Sequence, residues 1–552
     1  MSRDGERVVS ERSHASAAPA RAPGPATSPR ADVGVAVRTE PLGGSPLARA
    51  ALAGTLPHAW YPPMPTGTAE WRLHADAVRL QFSAGAWFEL LRPAFDVSGE
   101  AAARLERSAA GAGIVVTTGQ QPGLFGGPLY TLSKAISARA LADALEERTG
   151  LPVAPVFWAA TDDADFEEAR GTVVALDGAV RTLRLEAEPI EGTPMSAVPM
   201  GDDVRPLFDV LARAAGSAAF VEALDAARAA YVPGATVGDA YVRLLRALLE
   251  PLGIAVIDAS HPAVREAGFN LLRRALMQSA AIETALAQRT AAIEAAGFAP
   301  QVPDVAGRTL VFRDDADGRK ARVAVADARA IVPSVKRGSL GPNVLLRPVM
   351  ERSILPTVAY VAGPGEYAYF AQVSAVATAL GVPQPLAVPR WSVTIVEPHV
   401  RRALDHLGLD VDDLRHPHAP EADLARRAMP AAVSQALDAV RDAVARATDA
   451  LREHDEARAL LPAPAVEGAA RSLEHRIQRL ERRYLAALKR RDDVETRALA
   501  VARSALFPDG VRQERALNAL PLVARHGPAL LDAMLAAART HADALVDGTT
   551  RA

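Results

Sequence analysis

The sequence contains no cysteine among its 552 residues. Disulfides, thiolate zinc sites, iron–sulfur clusters and a cysteine nucleophile are therefore excluded. Lysine is scarce as well: Lys134, Lys320, Lys336 and Lys489 are the only four among 62 basic residues, and the rest are arginine. With so much alanine alongside, that bias reads as genome composition, and no partner is inferred from it. No apolar run reaches the roughly 18 residues a membrane-spanning helix needs. Neither sign of charge dominates, since 62 basic residues face 65 acidic ones for a net charge of −3. This balance argues against nucleic acid or an anionic membrane as partner. What is present is a globular composition, 49% hydrophobic and 23% charged, with length for about three or four domain-sized units. Residues 1–41 form an Ala/Pro-rich segment expected to be a disordered tail. Asp4, Glu6 and Glu11 interrupt it and no apolar signal core follows, so a cytoplasmic location is expected.

Beyond the tail, residues 68–110 read as helices with Trp71, Leu80, Trp87 and Leu91 on an apolar face. Gly113–Thr118 is a β-branched run of buried-strand type, followed by a glycine-rich loop over 119–127. Apolar residues at 129, 132, 136 and 140 then have helical spacing, and Gly150 ends the segment. Strand, glycine loop and helix make half of a doubly wound α/β unit. Val153–Ala159 is the next strand, emptying into the acidic cluster Asp162, Asp163, Asp165, Glu167 and Glu168. A strand at 254–258, a hairpin around Asp317-Gly318 and a second strand–loop–helix at 356–380 follow. One mostly parallel sheet with insertions is expected over 42–415. From about 422 the period changes. Val433, Leu437, Val440, Val444, Ala447 and Leu451 repeat at heptad spacing, as do Leu473, Ile477, Leu480, Tyr484 and Ala487. An antiparallel α-helical coiled-coil hairpin over 422–502 is the expectation, with its turn near Leu461–Pro464. A helical segment over 503–552 should pack back on the core or the coil base.

Two features bear on chemistry. A glycine loop at a helix N-terminus offers free N–H groups to phosphate or carboxylate, with Lys134 one to two turns inside the helix. The P-loop and dinucleotide spacings are both missing, so a plain structural turn stays open. The acidic cluster could hold Mg²⁺, bind an amine or supply a general base, or be no more than a solvated loop. Of the histidines, only His261 lies near a strand end, and it reads as a loop residue with local partners.

Thr118–Thr131 with Lys134, Pro155–Trp158 with Asp163–Glu168, Pro342–Pro348, Leu355–Glu366, Pro389-Arg390 and Gln513–Arg515 are together distinctive. These motifs resemble the bacillithiol biosynthesis cysteine-adding enzymes over roughly residues 55–540. The resemblance implies a Rossmann-like parallel-sheet core with connecting insertions, akin to class I aminoacyl-tRNA synthetases, and a coiled coil that makes a homodimer. It implies a cysteine ligase acting last in bacillithiol synthesis, joining cysteine to glucosaminyl malate through an amide. Carboxylate activation suggests an ATP-type adenine nucleotide, with Mg²⁺ open and no resident metal assigned. On the matching positions, Asp163, Asp165 and Lys134 are the candidate catalytic residues. Thr118, Gly119, Gln120, Gln121, Gly126, Gly127 and Tyr130 would line a substrate or nucleotide site. Asn343, Gly363, Gly365 and Glu366 would line its opposite wall. Arg347 and Arg390 would hold the acceptor's two malate carboxylates, or serve as structural ion-pair partners.

One departure stands out. Where the family commonly reads Gly-Glu-Asp-His-Asp-Phe, this chain reads Thr161-Asp-Asp-Ala-Asp-Phe166, with Ala164 in place of the histidine. A related ligase joining another amino acid to an amino sugar, or a non-catalytic dimeric scaffold, are the alternatives.

Overall fold

The structure is a computed structural model that describes residues 34–549 apart from 304, 417–418, 428 and 492. Most of the expected tail lies outside the described residues. Its end does not behave as a tail: β1 (Ala36–Glu40) pairs antiparallel with a strand at Ser392–Val396 near the far end of the core. The Val35–Val37 pattern was too short to stand out from the Ala/Pro-rich stretch before it.

Along the chain, β2 (Ile114–Gln120) is followed by the helix Leu129–Thr149 and β3 (Val153–Ala159). β4 (Gly171–Leu176) and β5 (Ala179–Arg184) form a small hairpin, and β6 (Ala255–Asp258) returns to the core. β7 (Arg308–Asp314), β8 (Lys320–Ala324) and β9 (Leu340–Pro342) make a separate three-stranded antiparallel insertion. β10 (Thr357–Ala362), β11 (Ala387–Pro389) and β12 (Ser392–Val396) complete the set. The central sheet runs β11-β10-β2-β3-β6 and every neighbouring pair is parallel. Its strands are apolar on both faces, as a sheet covered by helices on each side requires. In β3 the alternation is clear: Val153, Phe157 and Ala159 enter one core, while Ala154, Val156 and Trp158 enter the other. The Leu129–Thr149 helix is buried nearly all round, because the C-terminal helix Leu520–Val546 covers its outer side. Gly150, at φ 67°, ends it in the left-handed conformation that the sequence implied.

Beyond β12, the helices Ala431–Glu453 and Ala463–Arg491 pack along each other, with a short helix Asp455–Leu460 between them. Arg441 of the first pairs with Glu474 and Glu481 of the second. The following helix, Asp493–Leu506, returns to the core against Pro398–Leu407.

Glu397 fastens this junction. Its carboxylate accepts from Arg525 Nε at 2.6 Å, Arg525 Nη2 at 2.8 Å and His526 Nε2 at 2.8 Å. Burial pushes the group up, but His526 and Arg525 more than offset that and bring it from the usual 4.5 to about 2. A carboxylate held low in the folded chain stabilises it above the unfolded pKa and loses that contribution as pH falls. Stability should therefore drop by about 3 kcal/mol between roughly pH 4.5 and 2. Denaturant midpoints measured across that window should show the drop in the unmodified chain and a much smaller one in Glu397→Gln. Parallel curves would show that Glu397 does not carry the acid response.

Candidate active site

In the central sheet the strand order reverses between β2 and β10, and open parallel sheets bind ligands at such a switch point, beyond the strand C-termini. A cleft of about 1150 Å³ lies there. Gly119 and Gln120 at the end of β2, the acidic loop after β3 and Gly363–Glu366 after β10 form its floor and one side. The β7–β8–β9 insertion and the helix Ser279–Ala295 form the other. Gly119 is needed where it stands, since a Cβ there would meet Trp158 O of the neighbouring strand at 2.8 Å.

Lys134 and Glu366 bridge the switch point. The Lys134 ammonium donates to Gly119 O at 2.5 Å, Gln120 Oε1 at 3.2 Å and Glu366 Oε2 at 2.5 Å. Burial lowers the lysine pKa, and Glu366 opposes that. Glu366 also accepts from Gly363 N–H at 2.7 Å, closing the first turn of the helix Pro364–Leu380, and from Tyr360 OH at 2.5 Å. Although burial pushes the carboxyl up, Lys134 and Arg347 hold it below its ordinary value. Lys134 thus has all three donors engaged by the fold, so it positions the floor of the cleft and has no N–H left to aim at substrate.

The acidic wall follows β3. Asp162 pairs with Lys320 of β8, Nζ to Oδ2 at 2.9 Å. Burial, reinforced by the Asp162 charge, raises Asp163. Burial and Asp165 likewise raise Glu168, which accepts from Gln121 Nε2 at 2.5 Å. Asp165 caps the short helix Phe166–Ala169, its Oδ1 accepting from Glu168 N–H at 3.2 Å. Ala164 lies on the cleft between them, so the wall presents carboxylates and no imidazole. Tyr130 borders the same space, its phenol raised to about 12 by burial and by Glu168. Among the described residues, no three His, Asp or Glu side chains converge as a cation cage.

Several residues expected at the site have other duties. The glycine loop is no phosphate cradle. Leu124–Gly126 forms a tight turn in which Gly126 N–H donates to Gly123 O and Gly127 N–H to Leu124 O. Tyr231 OH also accepts from Gly126 N–H, and Asn518 Nδ2 donates to Leu124 O and Phe125 O. At the helix start, Leu129 N–H is taken by Leu517 O at 2.8 Å. Gly126 and Gly127 border a small apolar pocket against Leu520 and Val523, away from the cleft. Thr118 is buried and donates to Val361 O at 2.8 Å, tying β2 to β10.

Arg390 borders the cleft, but its guanidinium grips Glu514 at 2.7 and 2.8 Å and donates to Trp391 O at 2.9 Å. Arg347 donates to Glu351 at 2.9 Å, Tyr360 OH at 3.1 Å and Tyr369 OH at 3.3 Å. Both guanidinium groups are thus engaged as ion-pair partners, the second of the two roles expected for them, rather than turned to a malate carboxylate. Asn343 and Gly365 border the cleft, and Asn343 Oδ1 caps the turn into the helix Arg347–Ile354 through Leu345 and Leu346 N–H. His261 is the loop residue expected, its Nδ1 accepting from Ala263 N–H at 3.1 Å. Sequence reasoning missed the cations Arg308, Lys320, Arg322 and Arg515 on the cleft. The alternation of Lys320 and Arg322 on one strand face was the available signal.

A parallel sheet with its cleft at the switch point, closed over by insertions and carrying a helical coil, defines a Rossmann-like enzyme scaffold. Profiles of the bacillithiol biosynthesis BshC family match both parts, the N-terminal Rossmann-like domain at residues 90–331 and 334–391 and the C-terminal coiled-coil domain at 393–544. The chain belongs to this family. A protein of Koribacter versatilis named "Putative cysteine ligase BshC" is 32% identical over 82% of this chain and 87% of its own length. Proteins of the same name from Salinibacter ruber and Solibacter usitatus are 33% and 32% identical, over 78% and 77% of this chain and 82% of their own length in each case.

Proposed function

We propose that this cleft joins cysteine, through its carboxylate, to the amine of glucosaminyl malate, forming an amide. Family membership supports the reaction class, and the observation that carries the acceptor's orientation is the acidic wall at Asp163 and Glu168. An incoming ammonium is attracted there, and Asp163, raised by burial, is a better proton acceptor than a free carboxylate. That arrangement replaces the histidine that Ala164 lacks. Amide formation from a free carboxylate is unfavourable in water, so ATP with Mg²⁺ is the proposed source of activation. The turn at 124–127 does not fit its phosphates, because the Gly126 and Gly127 N–H groups are engaged within the fold. Purified protein with cysteine, glucosaminyl malate, ATP and Mg²⁺ should yield the thiol amide by mass spectrometry. Product without nucleotide turnover would remove the adenylate, and product with only another amino acid would favour the related-ligase alternative.

The coil carries the proposed homodimer. Leu437 and Ile477 are buried between the coil helices, whereas Val440 is 49% and Leu480 60% exposed. An exposed apolar edge on a heptad helix is what a second helix pair covers. Val440→Glu with Leu480→Glu should sediment as a folded monomer where the unmodified chain is a dimer. Sedimentation of the unmodified chain as a monomer at micromolar concentration would remove the dimer.

A further inference from the structure

The insertion that walls the cleft carries charge the reaction above does not use. Arg308, Leu310 and Phe312 of β7, with Lys320 and Arg322 of β8, all border the cavity. In the ladder Arg308 lies opposite Ala324, and Phe312 opposite Arg322. Lys320 fixes this face in place. Its side chain is 6% exposed and pairs with Asp162 at the end of β3, while its main-chain N–H donates to Gly192 O at 2.9 Å. The Arg322 guanidinium lies 5.1 Å from the Phe312 ring centre, with the Lys320 ammonium at 5.4 Å from the same ring. Among the described residues neither Arg308 nor Arg322 has a carboxylate partner. Arg347 and Arg390 also border the cleft but are committed to Glu351 and Glu514, and Arg515, the remaining cleft arginine, lies 6.0 Å from the Tyr130 ring centre beside β2, apart from the insertion.

We propose that Arg308 and Arg322 form a dicarboxylate subsite that receives the malate end of the acceptor. The assignment of that ligand rests on the ligase reading above. Two guanidinium forks match two carboxylates, and a dianion neutralises both. With the dicarboxylate on the insertion, the amine at the other end of the molecule is directed to Asp163 and Glu168 on the acidic wall. A cleft with one basic and one acidic wall therefore sorts a ligand that has two carboxylates at one end and an amine at the other. The stacking of Arg322 on Phe312 and the Lys320–Asp162 pair order this wall before ligand arrives, which lowers the entropy cost of binding.

The test uses the full chain and L-malate as probe, by calorimetry at low ionic strength. Arg308→Gln and Arg322→Gln should each weaken malate binding about tenfold, and the double variant should lose it. Both side chains are solvent-exposed, so unfolding midpoints should stay unchanged, and Arg322→Lys should keep part of the affinity. Arg319→Gln, on the same hairpin but paired to Asp315 and Asp317 outside the cleft, should bind malate normally. In the ligation assay the double variant should raise the acceptor KM, with kcat and the cysteine KM little changed.

Malate affinity unaltered in the double variant, or no malate binding by the unmodified chain, would overturn the subsite. Loss of ATP affinity with malate affinity retained would also overturn it, by making the arginines a phosphate subsite. Arginine-dependent malate binding without any product would sustain the subsite and sink the ligase reading. Product formation with an unchanged acceptor KM in the double variant would do the reverse.

Discussion

Glu514→Ala should cost about 4 kcal/mol of folding stability. Arg390 and Glu514 side chains are each 2% exposed, and their two-pronged contact joins β11 and β12 to the segment that follows the coil. Glu514 also accepts from Ser392 Oγ at 2.6 Å and Val393 N–H at 3.1 Å. Burial pushes its carboxyl up, but Arg390 and these donors hold it below the ordinary range. Truncation leaves a buried guanidinium without a counter-charge and two donors without acceptors, each with its own desolvation cost. Because the penalty comes from the orphaned charge, Arg390→Met combined with Glu514→Leu should recover most of the loss. Chemical denaturation of the single and the double variant measures this directly. A single-variant loss under about 1 kcal/mol would mean that water reaches the pair and the burial argument fails.

Asp163→Asn should lower kcat/KM for the acceptor amine by about 100-fold or more, the range that general-base removal produces. The fold should not suffer. Asp163 Oδ1 accepts from Asp165 N–H at 3.1 Å, and an asparagine oxygen can keep that bond. The substitution also removes the repulsion with Asp162, so the unfolding midpoint should hold or rise. A base works only when deprotonated, and Asp163 titrates above the usual 3.8. The unmodified enzyme should therefore show an acid limb, with rate rising with pH through that raised value, and the variant should lose it. Asp162→Asn is the contrast, since it breaks the buried Lys320 contact and should lower stability as well as activity. Equal losses of stability in both variants would show that Asp163 is structural.

The parallel sheet was legible because its signals are local. β2, β3 and β10 are short apolar runs with glycine or acid at their C-terminal ends, and the Leu129–Thr149 helix has its spacing and its Gly150 stop within one segment. The position of the acidic wall followed from the same rule. The duties of individual polar groups were not legible, because their partners lie far along the chain. Arg390 meets Glu514 124 residues later, and Lys320 meets Asp162 158 residues earlier. A glycine loop before a helix looks the same in sequence whether its N–H groups face an anion or, as here, Tyr231 and Leu517. The strand at 36–40 escaped notice for a similar reason, since its only neighbour in the ladder is β12.

Gln513 returns the chain to the place it left. Its side-chain amide accepts from Ile395 N–H at 2.7 Å and donates to Ile395 O at 2.9 Å, across 118 residues of intervening sequence. Closing a loop of that length costs roughly 4 kcal/mol in chain entropy alone, a cost that a folded coil between the two ends reduces. During synthesis, the strands around the cleft leave the ribosome well before Glu514 exists to neutralise Arg390. A nascent chain that ends inside the coil therefore lacks both the Arg390 counter-charge and the helix Leu520–Val546 that covers the core. Ribosome-bound chains of increasing length should become protease-resistant only once the segment from residue 513 onward has emerged.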